Sequence, residues 1–471
     1  MTEGNELVDI RPTGKTISSE KLILRDTGLT TINKEINAKV KEGEKEPKKV
    51  NSFNTILSIW NSMIGSSTVS LSYNVYYCGI IPAFLLSIIY GLICFYTCKI
   101  YVDFGSSEVK AGYKTDGPHP SIRFPSYIGE SKYNKILRVL NKKKSDYKEQ
   151  FIGDECEHYL GIVILRYPVK HGSFDNEKDI ALMFNHIFGK LKLSEEKVSQ
   201  HPLLITEPLL NPKENWEKIA TILFEKYNTP ALIFANQPCL SLFTFSDTTG
   251  VVLESGDGVT QICSILNGCS IPSSFIRSNF GGEDITEYLK KLFMLKGIDF
   301  ISYTEKLLLH EIKKKYLQIT IEGKKDEIIP SKYTLPDLTS ITIDTEKTMA
   351  SKVLLNPSLV GKNCLGFHQM ISTCIEKVDF ECRETLSQNI KLTGGNSCIK
   401  GLSEVLHTEI RGLLPKNSNK AKIKAISPNL STISSWNGGN IIAGLGIFKN
   451  LLISKKTWEE KGNDILHKQT F

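Results

Sequence analysis

The segment TTGVVLESGDGVT, residues 248–260, reads as a buried strand (Val251, Val252, Leu253) running into an acidic residue, Glu254. A turn of small residues follows, Ser255-Gly256-Asp257-Gly258, and then a second strand. Glycine tolerates positive φ and lets backbone N–H groups close around an anion. An acid beside such a turn suits a cation bound to that anion. The segment therefore reads as a β-hairpin built to hold a metal-bound phosphate.

One Gly/Asp turn says little, since most hairpins have one. The order recurs, however, in Ile100-Tyr101-Val102-Asp103-Phe104-Gly105-Ser106-Ser107: apolar strand, acid, small turn residues. A third glycine-rich turn, Thr393-Gly394-Gly395-Asn396-Ser397, follows the short strand Ile390 to Leu392 and precedes a helical pattern. A fourth, Trp436-Asn437-Gly438-Gly439-Asn440, reads as the opening of another helix. Two such hairpins with glycine turns at helix starts describe a nucleotide clamped between two similar halves.

Composition is that of an ordinary globular chain: 471 residues, 41% hydrophobic, 23% charged, net charge +7. The basic tract Lys132 to Lys148 reads as a solvated loop, and no nucleic acid is expected as partner, since that would need a basic face with reading elements. The 11 cysteines are scattered, with no CxxC or Cys/His metal spacing, which points to reduced thiols and no zinc site. The run Ile285, Tyr288, Leu289, Leu292, Phe293 has the spacing of an amphipathic core helix.

The first hundred residues differ in kind. Residues 1–50 hold 10 Lys+Arg and 9 Asp+Glu, a composition expected to be disordered. Residues 51–98 carry no charged side chain, and Gly79 to Cys98 has the length of a hydrocarbon core, about 20 residues. This region reads as a transmembrane hairpin. Residues 55–100 resemble the first two helices of amino acid/auxin permease-type transporters, through Ser58-Ile59-Trp60-Asn61, Gly65-Ser66-Ser67 and Gly79. Two readings stay open: a membrane tether with the following domain facing the cytosol, or a joining of two unrelated genes.

From Ile100 to Phe471 the chain resembles actin and the actin-related proteins. The resemblance rests on RYPVKHG (166–172), HPLLITEPLLNPKENWEKI (201–219), NTPALI (228–233), SLFTFSDTTGVVLESGDGVT (241–260), LTGGNSCIKGL (392–402) and ISKKTWEEKGNDILHKQTF (453–471). Within the family it most resembles conventional actin and dynactin-type centractin. The resemblance implies an α/β, two-domain actin-like fold over 99–471, with duplicated mixed sheets flanked by helices. It implies ATP with Mg²⁺ or Ca²⁺ as cofactors. Gly105, Ser106, Ser107 and Lys110 would meet the phosphates on one side, and Ser255, Gly256, Asp257 and Gly258 on the other. Asp103 and Glu254 would hold the cation through water. Gln237 would orient attacking water, with Gln261 beside it. Gly282, Lys313, Gly394, Gly395 and Asn396 would surround the base and ribose, and His171 would belong to the phosphate-sensing loop.

Partners implied are the chain itself or other actin-family subunits, and actin-binding proteins at the cleft near Ala443 to Phe448. The implied location is the cytoplasm and cytoskeleton. Several positions depart from the family pattern: Phe104 for Asn, Ser107 for the second Gly, Glu254 for Asp, Gln261 for His, Lys314 for Glu, and Thr432 for a basic residue. They leave binding in place and predict an ATPase that is weak at most, because water positioning is intolerant of small displacements.

Overall fold

The computed structural model describes residues 99–117, 119–132, 150–321, 329–414, 421–444 and 448–468. These belong to one compact unit, Tyr90–Phe471. The segments read above as a disordered leader (1–50) and a transmembrane hairpin (51–98) lie outside the described residues, as does most of the basic tract. No described helix is long and apolar enough to cross a membrane.

Two sheets repeat one topology. In the first, Ile100–Phe104 pairs antiparallel with Glu108–Tyr113, which pairs with Ile122–Pro125; on its other edge it runs parallel to Leu203–Glu207, then Ala231–Asn236. In the second, Gly250–Ser255 pairs antiparallel with Thr260–Leu266, which pairs with Cys269–Ser270 and Ile276–Ser278; on its other edge lie parallel Ile390–Thr393 and Ile423–Ala425. Each half is thus a hairpin followed by parallel strands with crossover helices. The first sheet adds one antiparallel strand, Ile453–Ser454, at its far edge.

The central strands are buried on both faces, which is why they read as unbroken apolar runs. Side chains alternate between two cores. Ile100, Val102, Leu203, Ile205 and Phe234 pack with Ile180, Met183, Phe184 and Ile187 of helix Glu177–Lys190. Tyr101, Leu204 and Ile233 face the opposite way, onto Leu240 and Trp436. In the second sheet Val251, Leu253, Ile262 and Leu392 pack on Ile285, Leu289 and Phe293 of helix Gly282–Leu295, whose half-buried Tyr288 completes the expected stripe. Val252, Cys263 and Ile265 face Cys239 and Leu242. Helix Gln237–Thr244 therefore contributes to both sheets, Leu240 to one and Cys239 and Leu242 to the other.

One expectation is corrected. Trp436 to Asn440 is not a turn opening a helix; it lies inside helix Ser434–Ala443. One of its glycines serves a close helix crossing. A Cβ on Gly438 would run into the backbone of Leu240 in helix Gln237–Thr244. Glycine in a helix interior costs about 1 kcal/mol, and here that cost lets two backbones touch.

Candidate functional site

The turns Gly105–Ser107 and Gly256–Val259 face each other across a cavity of about 800 Å³. They are close enough that a Cβ on Gly258 would stand 2.5 Å from Ser106 Oγ and 3.3 Å from His171 N. His171 Nδ1 donates to Gly258 O at 2.7 Å, so the loop bearing His171 meets the second turn. Of the residues singled out by sequence, Asp103, Gly105, Ser106, Ser107, Lys110, Gln237, Glu254, Gly256, Asp257, Gly258, Gln261, Lys313, Gly394, Gly395 and Asn396 all line this cavity. Lys314 and Thr432 line it as well.

Ser255 and Gly282 stand behind the wall. Ser255 Oγ is buried against Thr260 Oγ1 (2.7 Å) and accepts from Asn396 Nδ2 (2.9 Å). Asn396 Nδ2 also donates to Gly256 O at 2.7 Å, tying the third glycine turn to the second hairpin. Gly394 has φ +85°, and its missing Cβ would strike the Ser255 backbone, with the carbonyl carbon only 2.7 Å away. Gly282 O accepts from Lys313 Nζ at 2.8 Å, and Lys313 Nζ also pairs with Asp257 Oδ1 at 3.2 Å. Burial opposes the charge on Asp257, but Lys313 outweighs it and holds the carboxyl below the usual range. His310 on the same helix face is pushed down to about 4, by burial and then by Lys313, so it is neutral at pH 7 despite lying 3.9 Å from Glu283.

The repeated topology puts Asp103 and Glu254 at equivalent places. Asp103 lies across from Lys110 on the antiparallel side and Thr206 on the parallel side. Glu254 lies across from Gln261 and Thr393. One acid thus faces an ammonium, the other an amide. Asp103 is almost fully buried, which alone would raise its carboxyl. Lys110 Nζ at 3.0 Å, Thr206 Oγ1 and Gln237 Nε2 at 3.0 Å reverse this and hold it ionised. Among the described residues, Glu254 has only Gln261 Nε2 at 3.4 Å and Ser435 Oγ at 3.5 Å as hydrogen-bond partners. Burial, reinforced by the Asp103 charge, pushes it up to about 8. Two buried acids that repel each other beside two glycine turns would suit a divalent cation, whose charge would do what the proton on Glu254 does, relieve their repulsion.

Gln237 and Gln261 are engaged with each other. Gln261 Nε2 donates to Gln237 Oε1 at 2.9 Å, and Gln261 Oε1 accepts from Leu209 N at 2.6 Å. Neither amide can take a proton from water, and the Gln237 oxygen already has a donor.

Sequence reasoning missed Thr206, Ser435 and Arg277. Arg277 on strand Ile276–Ser278 donates to Leu209 O (3.0 Å), Leu210 O (3.1 Å) and His171 O, joining the two halves beneath the site. These partners lie 67 to 181 residues apart from what they touch, and no local pattern marks them. A family model described as Actin matches residues 97–471. That match spans both sheets, both hairpins and the cavity between them, and the chain belongs to the actin family.

Proposed function

We propose that this protein is an actin-family subunit that binds ATP with Mg²⁺ or Ca²⁺ in the cleft and assembles with itself or related subunits, turning ATP over slowly if at all. The observation that carries the reading is the meeting of two glycine turns and two buried carboxylates around one cavity. Its volume lies within the usual range of small-molecule sites, about 300–1,000 Å³. Gly105, Ser106, Ser107 and Lys110 would hold the phosphates from one side and Gly256, Asp257 and Gly258 from the other. Asp103 and Glu254 would hold the hydrated cation, and Lys313, Gly394, Gly395 and Asn396 would border the nucleoside. Actin-family membership points to the cytoplasm and cytoskeleton and to other actin-family subunits or actin-binding proteins as partners. The proposed partner cleft, Ala443 to Phe448, is described only at its two ends, since 445–447 lie outside the described residues.

Slow turnover is supported by the Gln237–Gln261 hydrogen bond. Replacing Gln261 by His puts a titratable group beside Gln237 and frees the amide oxygen. The Gln261→His variant is expected to raise steady-state phosphate release by about a hundredfold, the lower end of what a positioned base contributes. An unchanged rate would remove Gln261 as the cause.

The reading is tested by melting the full-length chain with and without Mg-ATP. A ligand at 100 times its Kd adds about 2.7 kcal/mol, which shifts the midpoint by several degrees. Sedimentation with Mg-ATP then tests assembly: persistent monomer at high concentration would leave an ATP-binding subunit that does not polymerise.

A further inference from the structure

Three tyrosines meet at one part of the cavity lining. Tyr127 precedes the strand Ile128–Ser131 and Tyr167 follows the strand Val163–Arg166, which pair in one small sheet of the first half. Tyr303 opens the helix Tyr303–Tyr316 of the second half. Tyr167 Oη donates to Tyr303 Oη at 3.1 Å. The Tyr127 ring meets Tyr167 at 6.3 Å and Tyr303 at 6.0 Å between centroids, both edge-on. We propose that Tyr127, Tyr167 and Tyr303 form a clasp between the two halves that keeps the cleft closed and retards escape of its nucleotide. The proposal rests on the nucleotide reading above.

Each partner is fixed on its own side. Tyr303 is the first residue of a helix capped reciprocally by Ser302 and Glu305. The same helix carries His310 and Lys313 into the cavity wall. Tyr127 is 3% exposed, and the preceding Ser126 N–H donates to Ser107 O at 2.9 Å. The clasp is therefore tied on one side to the first phosphate turn and on the other to the helix that holds Asp257 through Lys313. Separating the halves breaks the Tyr167–Tyr303 O–H···O bond and the Tyr127–Tyr303 edge-to-face contact together. The phenols stay neutral: burial raises all three, Tyr167 up to about 12, so the contact persists across the physiological range.

The test loads full-length protein with a fluorescent etheno-ATP and chases it with excess ATP. Tyr303→Phe removes only the hydrogen bond and is expected to release nucleotide about threefold faster. Tyr303→Ala also removes one ring contact and is expected to release it about tenfold faster or more. Release within about twofold of the parent in both variants would overturn the clasp. Amide exchange of the nucleotide-free chain gives a readout independent of any ligand. Tyr303→Ala should raise exchange about threefold in residues 128–131 and 303–309, and unchanged exchange there would equally overturn it. A parent chain that took up no etheno-ATP would refute the cofactor reading, while its amide exchange would still decide the clasp.

Discussion

Replacing Lys110 by Met is expected to destabilise the nucleotide-free protein by about 3 kcal/mol and to weaken ATP binding by about a hundredfold. Lys110 and Asp103 have side chains 10% and 3% exposed, so this ion pair is screened little by solvent. Removing one partner of a buried pair leaves the other charge without compensation, which costs more than the pair itself contributes. Asp103 would keep only the bonds from Thr206 and Gln237, beside a second acid at Glu254. In the proposed complex the same ammonium would meet the phosphates, so binding and stability would fall together. Denaturant unfolding and equilibrium titration on the full chain measure the two effects. A stability loss under about 1 kcal/mol would mean that Asp103 is not held ionised by Lys110.

The second large effect is a pH dependence carried by Glu254. Its carboxyl is pushed up to about 8 in the folded protein from an ordinary value of 4.5. Between those values the folded protein holds a proton that the unfolded chain has released. Stability of the nucleotide-free protein therefore falls as pH rises through this window, and the contribution is gone above about pH 8. At 1.36 kcal/mol per pH unit the full span amounts to roughly 4–5 kcal/mol. Glu254→Gln keeps the shape and removes the titration. Melting curves at pH 6 and pH 8.5 should show the parent losing several degrees more than the variant. Parallel profiles would contradict the protonated Glu254. A bound divalent cation should flatten the parent's profile, because it takes the place of the proton between the two acids.

The parts of the site that were legible in the sequence are those whose chemistry is local. A strand, an acid and a small turn lie within eight residues at 100–107, and the repeat at 250–258 revealed the duplication. The register then added what spacing could not show: Asp103 and Glu254 are structural equivalents with different cross-strand partners, Lys110 and Gln261. The Gly438-Gly439 pair was misread because a glycine in a turn and one in a helix crossing, as at Gly438, look alike until the partner backbone is known. Thr206 was invisible for the same reason, since it reaches Asp103 from a strand 103 residues away. The tyrosine contacts likewise join positions 127, 167 and 303, which share no periodicity.

Equilibrium titration of the full-length chain with a fluorescent ATP analogue, with Mg²⁺ and again with a chelator, tests the clamp most directly. The two-turn, two-acid site predicts saturable one-to-one binding with a Kd of about 10 μM or tighter, weakened about tenfold or more when the cation is removed. No saturable binding, or binding indifferent to the cation, would contradict it.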